Sequence, residues 1–325
     1  MHVLVTGGGG YIGSIAAEQL IARGHEVTVI DNFSRGHRGA VPPEATRIDC
    51  DLRYPDNVTH VIRSAAPDAI MHFAALTLVP ESVREPGAYF ATNTCGGLNL
   101  LNAAAANGVT RFVFSSTAAV YGEPASLPIT EEAPTEPINP YGRSKLMTEQ
   151  MLDIFSERYG INHAMFRYFN VAGASEERGE DHEPETHLIP VALQALQGKR
   201  DTFTVFGTDY DTPDGTAIRD YVHVLDLIDA HIAAVEALDR PLGAMNLGTA
   251  NGFSVQQIVD AVQRVTGVSL PLEYGNRRAG DPPALVADST KARETLGWAP
   301  SRSTLEDMIG SAWDWFQRHP DGYQD

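Results

Sequence analysis

The chain opens on a short apolar run, His2-Val3-Leu4-Val5-Thr6, and its first half then alternates such β-branched segments with helical stretches. The short runs predict strands near His2 to Thr6, Glu26 to Asp31, Thr46 to Cys50, Ala69 to Phe73, Arg111 to Ser115 and Asn162 to Phe169. Helices are predicted between them, notably over Tyr11 to Arg23, Glu81 to Asn107 and Tyr141 to Tyr159. Apolar strands separated by helices require a sheet covered on both faces, so the pattern predicts an α/β fold with a doubly wound parallel sheet. From about Val171 the regularity breaks. Residues 175–185 are polar and acidic, 206–215 are turn-rich, and 276–283 form a basic, proline-containing loop. Such segments suit a lid or binding surface better than a core. Helix and strand return over Val224 to Leu247, which predicts that the C-terminal part is interleaved with the first domain.

Composition narrows the setting. At 325 residues with 43 % hydrophobic side chains, the chain can form one large domain or two joined ones. No apolar run approaches the roughly 20 residues of a membrane span, and no basic leader precedes the first strand; a cytoplasmic protein without membrane contact is expected. With 42 acidic against 24 basic side chains, the net charge of −18 repels nucleic acid and anionic lipid. An anionic small molecule must therefore meet a local basic pocket. Cys50 and Cys95 are too few for a disulfide framework or a cysteine zinc site.

Thr6-Gly7-Gly8-Gly9-Gly10-Tyr11-Ile12-Gly13 lies between a predicted strand and a predicted helix, the context in which glycines cradle a dinucleotide pyrophosphate. Gly7 permits the tight turn, Gly10 the close approach of backbone to phosphate, and Gly13 the packing of helix on strand. Asp31 ends the second strand, where a carboxylate accepts hydrogen bonds from ribose hydroxyls and repels a 2′-phosphate; this predicts NAD rather than NADP. Arg35 leaves the phosphate open, since it is either a partner for that group or a solvated loop charge. Asp51-Leu52 and Phe73-Ala74-Ala75 follow the third and fourth strands, where adenine and the cofactor backbone would rest, although Asp51 could equally be a helix cap.

Ser115-Ser116-Thr117 ends the fifth strand, and Tyr141 and Lys145 stand four residues apart on one face of the next helix. Hydroxyl, phenol and ammonium can thus converge on a nicotinamide, with the ammonium expected to lower the phenol pKa. A tyrosine and lysine at this spacing are common on helix surfaces; their company with the glycine turn points to redox chemistry on an alcohol.

These segments resemble the extended short-chain dehydrogenase/reductases and, among them, the UDP-glucose 4-epimerase (UDP-galactose 4-epimerase) family. The resemblance is carried over essentially the whole length by Val3-Leu4-Val5-Thr6-Gly7-Gly8, Phe114 to Gly122, Ser144-Lys145-Leu146-Met147, Arg167-Tyr168-Phe169-Asn170, Ile218 to Val224 and Arg277-Arg278-Ala279-Gly280-Asp281. It implies an NAD-binding Rossmann domain over 1–171 with a returning segment near 220–245, and a UDP-sugar-binding domain mainly over 172–325. It implies that Tyr141 is the base, that Lys145 holds the nicotinamide ribose, and that Thr117 hydrogen-bonds the sugar 4-hydroxyl. UDP-glucose and UDP-galactose would interconvert through a 4-keto intermediate on a retained NAD. The expected cofactor wall is Gly7, Gly10, Tyr11, Ile12, Gly13, Asp31, Asn32, Ser34, Asp51, Leu52, Phe73, Ala74, Ala75, Asn93, Ser115, Tyr141, Lys145 and Tyr168. The expected substrate contacts are Thr117, Asn170, His187, Leu188, Arg219, Tyr221, Arg278 and Asp281, each arginine having a surface ion pair as its alternative. A homodimer through helices within 81–107 and 141–159 is implied as well.

Neighbouring activities lose ground through what stands beside Thr117. Sugar-nucleotide 4,6-dehydratases carry an acidic pair, and UDP-glucuronate decarboxylases a glutamate, where this chain has Ala118 and Ala119. A reductase or dehydratase of nucleotide sugars, an epimerase of pentose or uronate, and a non-catalytic NAD sensor remain as other readings; the intact Thr117, Tyr141 and Lys145 speak against the last. Thr117, Thr77 and His187 depart from the serine, lysine and asparagine often found at these places. Leu285 falls where side-chain size governs acceptance of N-acetylated sugars, and its intermediate volume predicts weak acceptance. His182 and His187 stand among Glu180, Asp181, Glu183 and Glu185, but neither helical ligand spacing nor a cysteine supports a metal, and none is expected.

Overall fold

The computed structural model describes residues 1–277 and 282–324. Six strands follow in the first half: β1 His2–Thr6, β2 Glu26–Asp31, β3 Thr46–Asp49, β4 Ala69–His72, β5 Arg111–Ser115 and β6 Asn162–Tyr168. Beyond them come the short strands β7 Asn170–Ala172, β8 Phe203–Phe206, β9 Ile218–Arg219 and β10 Tyr221–His223, then β11 Gly243–Leu247. β11 returns to the edge of the main sheet beside β6, giving the order β11-β6-β5-β4-β1-β2-β3 with every pair parallel. The fold class is the one the alternating pattern predicts. Winding reverses between β1 and β4, so a crevice opens beyond their C-terminal ends.

Period-two alternation sends side chains to opposite faces of this sheet. Val3, Val5, Val27 and Val29 join one core, packed by helices α1 (Tyr11–Ala22) and, later in the chain, Val224–Ala237. Leu4, Ile30, Ile70 and Phe112 face the other way, toward Ile62, Leu101 and Leu152. A third core, with Leu193, Val205, Ile258, Met308 and Trp315 at its centre, gathers the C-terminal helices around β8 and Tyr221.

One departure from the sequence pattern concerns a helix. The single helix expected over 81–107 is divided. After α2 (Pro55–Ala65), α3 (Val79–Arg84) stops because Glu85 leaves helical geometry at φ −126° and ψ 56° before Pro86, whose ring disfavours a helical neighbour. The chain restarts as α4 (Pro86–Tyr89), widens into one stretch of i→i+5 helix over Phe90–Cys95, and continues as α5 (Gly96–Ala106). By contrast α6 (Pro140–Tyr159) is continuous. Asn139 caps it by accepting from the Gly142 amide at 2.8 Å, Pro140 supplies a ready-made first-turn φ, and Gly160 ends it in the left-handed region at φ 70°. Its buried face carries Ser144, Lys145, Thr148 and Glu149. Among the described residues no helix is long and apolar enough to cross a membrane.

Candidate active site

The glycine turn joins β1 to α1 without room for side chains. A Cβ on Gly13 would lie 2.2 Å from the Gly7 carbonyl oxygen, and Gly7 itself has φ +73° with Ala74 backbone 2.6 Å from where its Cβ would stand. Gly10 differs: a Cβ there would meet only the Gly7 oxygen, at 3.4 Å, and would otherwise project into a cavity of about 340 Å³. Gly10 is the residue that precedes α1 and offers no side-chain cap, and the first turn holds no acidic residue. A helix start presented in this way is an anion site. Asp31 accepts from the amides of Gly9 at 2.9 Å and Phe33 at 2.8 Å; burial nevertheless lifts its carboxyl above the ordinary value. Arg35, which left a 2′-phosphate open, is ion-paired to Glu81 at 2.5 Å. The residues present therefore fit a dinucleotide whose adenosine ribose bears free hydroxyls.

Of the expected cofactor wall, all but Asn93 line this one cavity. Asn93 stands behind it as a brace, accepting from the Leu76 amide at 2.8 Å and donating to Ser144 Oγ at 2.9 Å. Asp51 is bound to Arg53 and Asn32, and the Arg53 hydrogen bond holds its carboxyl down at about 2.

Thr117, Tyr141 and Lys145 open onto the same cavity. Lys145 is 2 % exposed, and its Nζ donates to the Ser115 carbonyl at 2.8 Å. Burial brings its pKa down to about 7, with Glu149 opposing the shift. The Tyr141 phenol is pushed up by burial, and the hydrogen bond with Thr117 acts against that rise. The expectation that Lys145 sets the phenol pKa thus gives way to a different balance in this structure, with burial first and Thr117 opposing it. Ser115 Oγ and the Tyr168 hydroxyl are hydrogen-bonded, which fixes the Tyr168 ring at the cavity wall.

Behind Lys145 lies a group that sequence reasoning missed. Glu149 pairs with Arg167 at 2.6 Å, accepts from Ser116, and is 3 % exposed; Arg167 also donates to the Tyr121 hydroxyl at 3.1 Å. Two signals were present: Glu149 is four residues beyond Lys145, on the same helical face, and Arg167 sits in an otherwise apolar strand.

The substrate residues divide. Asn170 and His187 line the cavity with Thr117. Leu188, Arg219 and Tyr221 do not. Leu188 begins α7 (Leu188–Leu196) against the C-terminal core, the Tyr221 ring is 5 % exposed within that core, and Arg219 Nη1 donates to the Ile218 carbonyl at 2.7 Å. Arg278 and Asp281 lie outside the described residues. Leu285 stands on a short strand beside Arg219 and packs near Tyr121 and Ile129.

At the far rim the acidic loop folds back, and four of its side chains meet. His187 Nδ1 is 2.7 Å from Glu180 Oε1 and 3.2 Å from Glu185 Oε1; His182 Nδ1 is 3.1 Å from the same Glu180 oxygen. Burial pulls the His182 pKa down, but the two carboxylates outweigh it and lift it to about 9; burial lifts Glu185, but the histidines outweigh it and hold it at about 2.

The profile of the NAD dependent epimerase/dehydratase family matches residues 3–248. The chain belongs to the NAD-dependent epimerase/dehydratase family. Within that family, it is 49 % identical to the UDP-glucose 4-epimerase of Lactobacillus helveticus, over 100 % of both chains. A crystal structure of a UDP-glucose 4-epimerase superposes with a TM-score of 0.98 at 46 % identity, covering 100 % of each chain. The Brucella ovis UDP-glucose 4-epimerase in complex with NAD superposes with a TM-score of 0.94 at 44 % identity, covering 97 % of this chain and 98 % of its own.

Proposed function

We propose that this protein is an NAD-dependent UDP-hexose 4-epimerase that interconverts UDP-glucose and UDP-galactose. The observation that carries the reading is that Thr117, Tyr141 and Lys145 open onto the one cavity whose other end is the glycine turn and Asp31. Gly7, Gly10 and Gly13, the start of α1 and Asp31 would hold NAD, with Lys145 and Tyr168 at its nicotinamide end. When bound there, NAD supplies a reversible acceptor for the hydrogen on sugar C4. Thr117 and Tyr141 hold the 4-hydroxyl; Tyr141 takes its proton during oxidation and returns one to the 4-keto oxygen during reduction. Lys145, tied to Ser115 and one helical turn beyond Tyr141, would hold the nicotinamide ribose. Asn170 and His187 face the substrate end. Ala118 and Ala119 place no carboxylate beside Thr117, so no acid is supplied for loss of water or carbon dioxide.

Supporting the finer points, Leu285 is of intermediate size, and we read the enzyme as accepting N-acetylated UDP-hexoses weakly. We also read it as a cytoplasmic homodimer of galactose metabolism. Val83 on α3 and Met147, Ile154 and Tyr159 on α6 are exposed apolar residues on the helices that would pair. Gel filtration with light scattering tests the dimer.

The decisive experiment incubates purified protein with UDP-galactose, adding no cofactor, and follows the anomeric protons by NMR. UDP-glucose should appear. Failure even after NAD is supplied overturns the hexose assignment.

A further inference from the structure

Glu180, His182, Glu185 and His187 come from an irregular loop, yet one ligating atom from each lies within 4.8 Å of all the others. Glu180 and Glu185 are buried, at 6 % and 5 % exposure. Ion pairing accounts for this cluster incompletely. His182 Nδ1 faces Glu180 Oε1 at 3.1 Å and Glu185 Oε2 at 3.7 Å, but a ring nitrogen carries one proton and can serve one acceptor in line. Neither His182 Nδ1 nor Glu185 Oε2 has an aligned hydrogen-bond partner among the described residues, whereas Glu185 Oε1 accepts from the Thr186 and His187 amides at 2.7 and 2.8 Å. A buried carboxylate oxygen left in that state is costly unless something else binds it.

We propose that these four side chains form a binding site for one divalent transition metal of zinc's preferences, held by two imidazole nitrogens and two carboxylate oxygens. Nitrogen and oxygen ligands at the usual zinc distances of about 2.0–2.2 Å stand roughly 3.3–3.6 Å apart in a tetrahedron. The imidazole–carboxylate separations of 2.7, 3.1, 3.2 and 3.7 Å, the last two to different oxygens of Glu185, lie around that value, and one ligating atom from each residue lies within 4.8 Å of the rest, so small side-chain shifts would close the shell. The carboxylates hold both imidazoles protonated without metal, so binding would release a proton from each Nδ1; two carboxylates then balance the charge of the dication. Imidazole with carboxylate favours zinc over calcium or magnesium, which prefer all-oxygen shells.

The site is placed to act as a staple. His182 packs edge-on to Tyr11, the first residue of α1, at 6.4 Å, while His187 stands immediately before α7. Glu185 is tied by its carbonyl to Arg200 at 2.8 Å. A bound metal would lock the cofactor-binding turn to the C-terminal core, a structural role that does not depend on which sugar is processed.

The test is metal analysis of the protein as purified, with its nucleotide, dialysed first against Zn²⁺ and then against metal-free buffer. Wild type should retain one zinc per chain, and the double variant His182→Asn/Glu185→Gln should retain less than about a tenth of that. Co²⁺ in place of zinc should give a tetrahedral absorption without a thiolate band, which excludes Cys50 and Cys95 as ligands. Chelation should lower the melting temperature of wild type but not of the variant. Less than about a tenth of a zinc on wild type, a thiolate band, or equal metal on the double variant would each overturn the proposal. The wild-type stoichiometry decides even if the variant folds poorly.

Discussion

Lys145 Nζ donates to the Ser115 carbonyl at 2.8 Å, joining the second turn of α6 to the end of β5. That bond sets the distance between two parts of the site. Tyr141 stands one helical turn before Lys145, and Thr117 two residues after Ser115, so fixing one pair positions the other. The phenol of Tyr141, pushed up by burial, is restrained by Thr117.

Replacing Tyr141 by Phe removes the proton carrier and should lower turnover by about 10²- to 10⁴-fold while NAD remains bound. Thr117→Val keeps the shape and loses the hydrogen bond. It should cost roughly tenfold in rate and shift the basic rise of the rate–pH profile upward, because the phenol loses the group that opposes its burial. A profile that keeps its position in Thr117→Val would remove Thr117 from control of the phenol.

Gly10→Ala and Gly13→Ala make the same chemical change with different expected failures. At Gly13 the new methyl meets the Gly7 carbonyl at 2.2 Å, so the fold itself should lose about 1–3 kcal/mol by urea unfolding. At Gly10 it meets the Gly7 oxygen at an ordinary 3.4 Å and otherwise enters the cavity. Stability should change little there, while retained nucleotide, read by absorbance of the perchloric acid extract, should fall sharply. Equal nucleotide in Gly10→Ala and wild type would place the pyrophosphate elsewhere.

How far the sequence could carry these arguments depends on whether the relevant contact is local. The turn from Gly7 to Gly13, the Tyr141 and Lys145 pair and the first six strands are set by short-range spacing, and they were legible. The return of 224–247 to the first domain was legible, but the parallel pairing of β11 with β6 joins residues about 80 apart, so no local pattern gives that partner. Asn93 carried a polar side chain on a helix near the cofactor, and only packing shows that it braces Leu76 and Ser144 from behind. Tyr221, expected at the substrate, packs within the C-terminal core, a long-range placement that no local spacing shows. The meeting of Glu180, His182, Glu185 and His187 was hidden for another reason: an irregular loop has no period from which convergence can be inferred.

The Glu149 and Arg167 pair predicts an asymmetric response. With side chains 3 % and 8 % exposed, the two charges are worth little to stability together but much when separated. Arg167→Met alone strands Glu149 beside Ser116 and should cost about 3–5 kcal/mol in urea unfolding. Adding Glu149→Leu should recover most of that loss. A double variant no more stable than the single one would mean that the network, rather than charge balance, supports this core.

Buried histidines make acid stability the last testable property. His231 sits on the Val224–Ala237 helix, fully buried, with Nδ1 2.9 Å from the Leu227 carbonyl and Nε2 unpartnered among the described residues. Its ring packs against Phe166 at 4.5 Å and Phe73 at 5.1 Å. Burial lowers its pKa from 6.5 to about 4, the backbone hydrogen bond opposing the shift. Because the folded value lies below the unfolded one, its contribution is fully present above pH 6.5 and is lost as pH falls toward 4, where the unfolded chain binds a proton that the folded chain resists. The loss by pH 4 is about 3 kcal/mol. His231→Phe, which keeps an aromatic ring against Phe166, removes this proton-linked term. Urea midpoints measured from pH 7 to pH 4 should therefore fall less steeply in the variant than in wild type. Parallel slopes would show that His231 accepts its proton within the folded core, contrary to the burial argument.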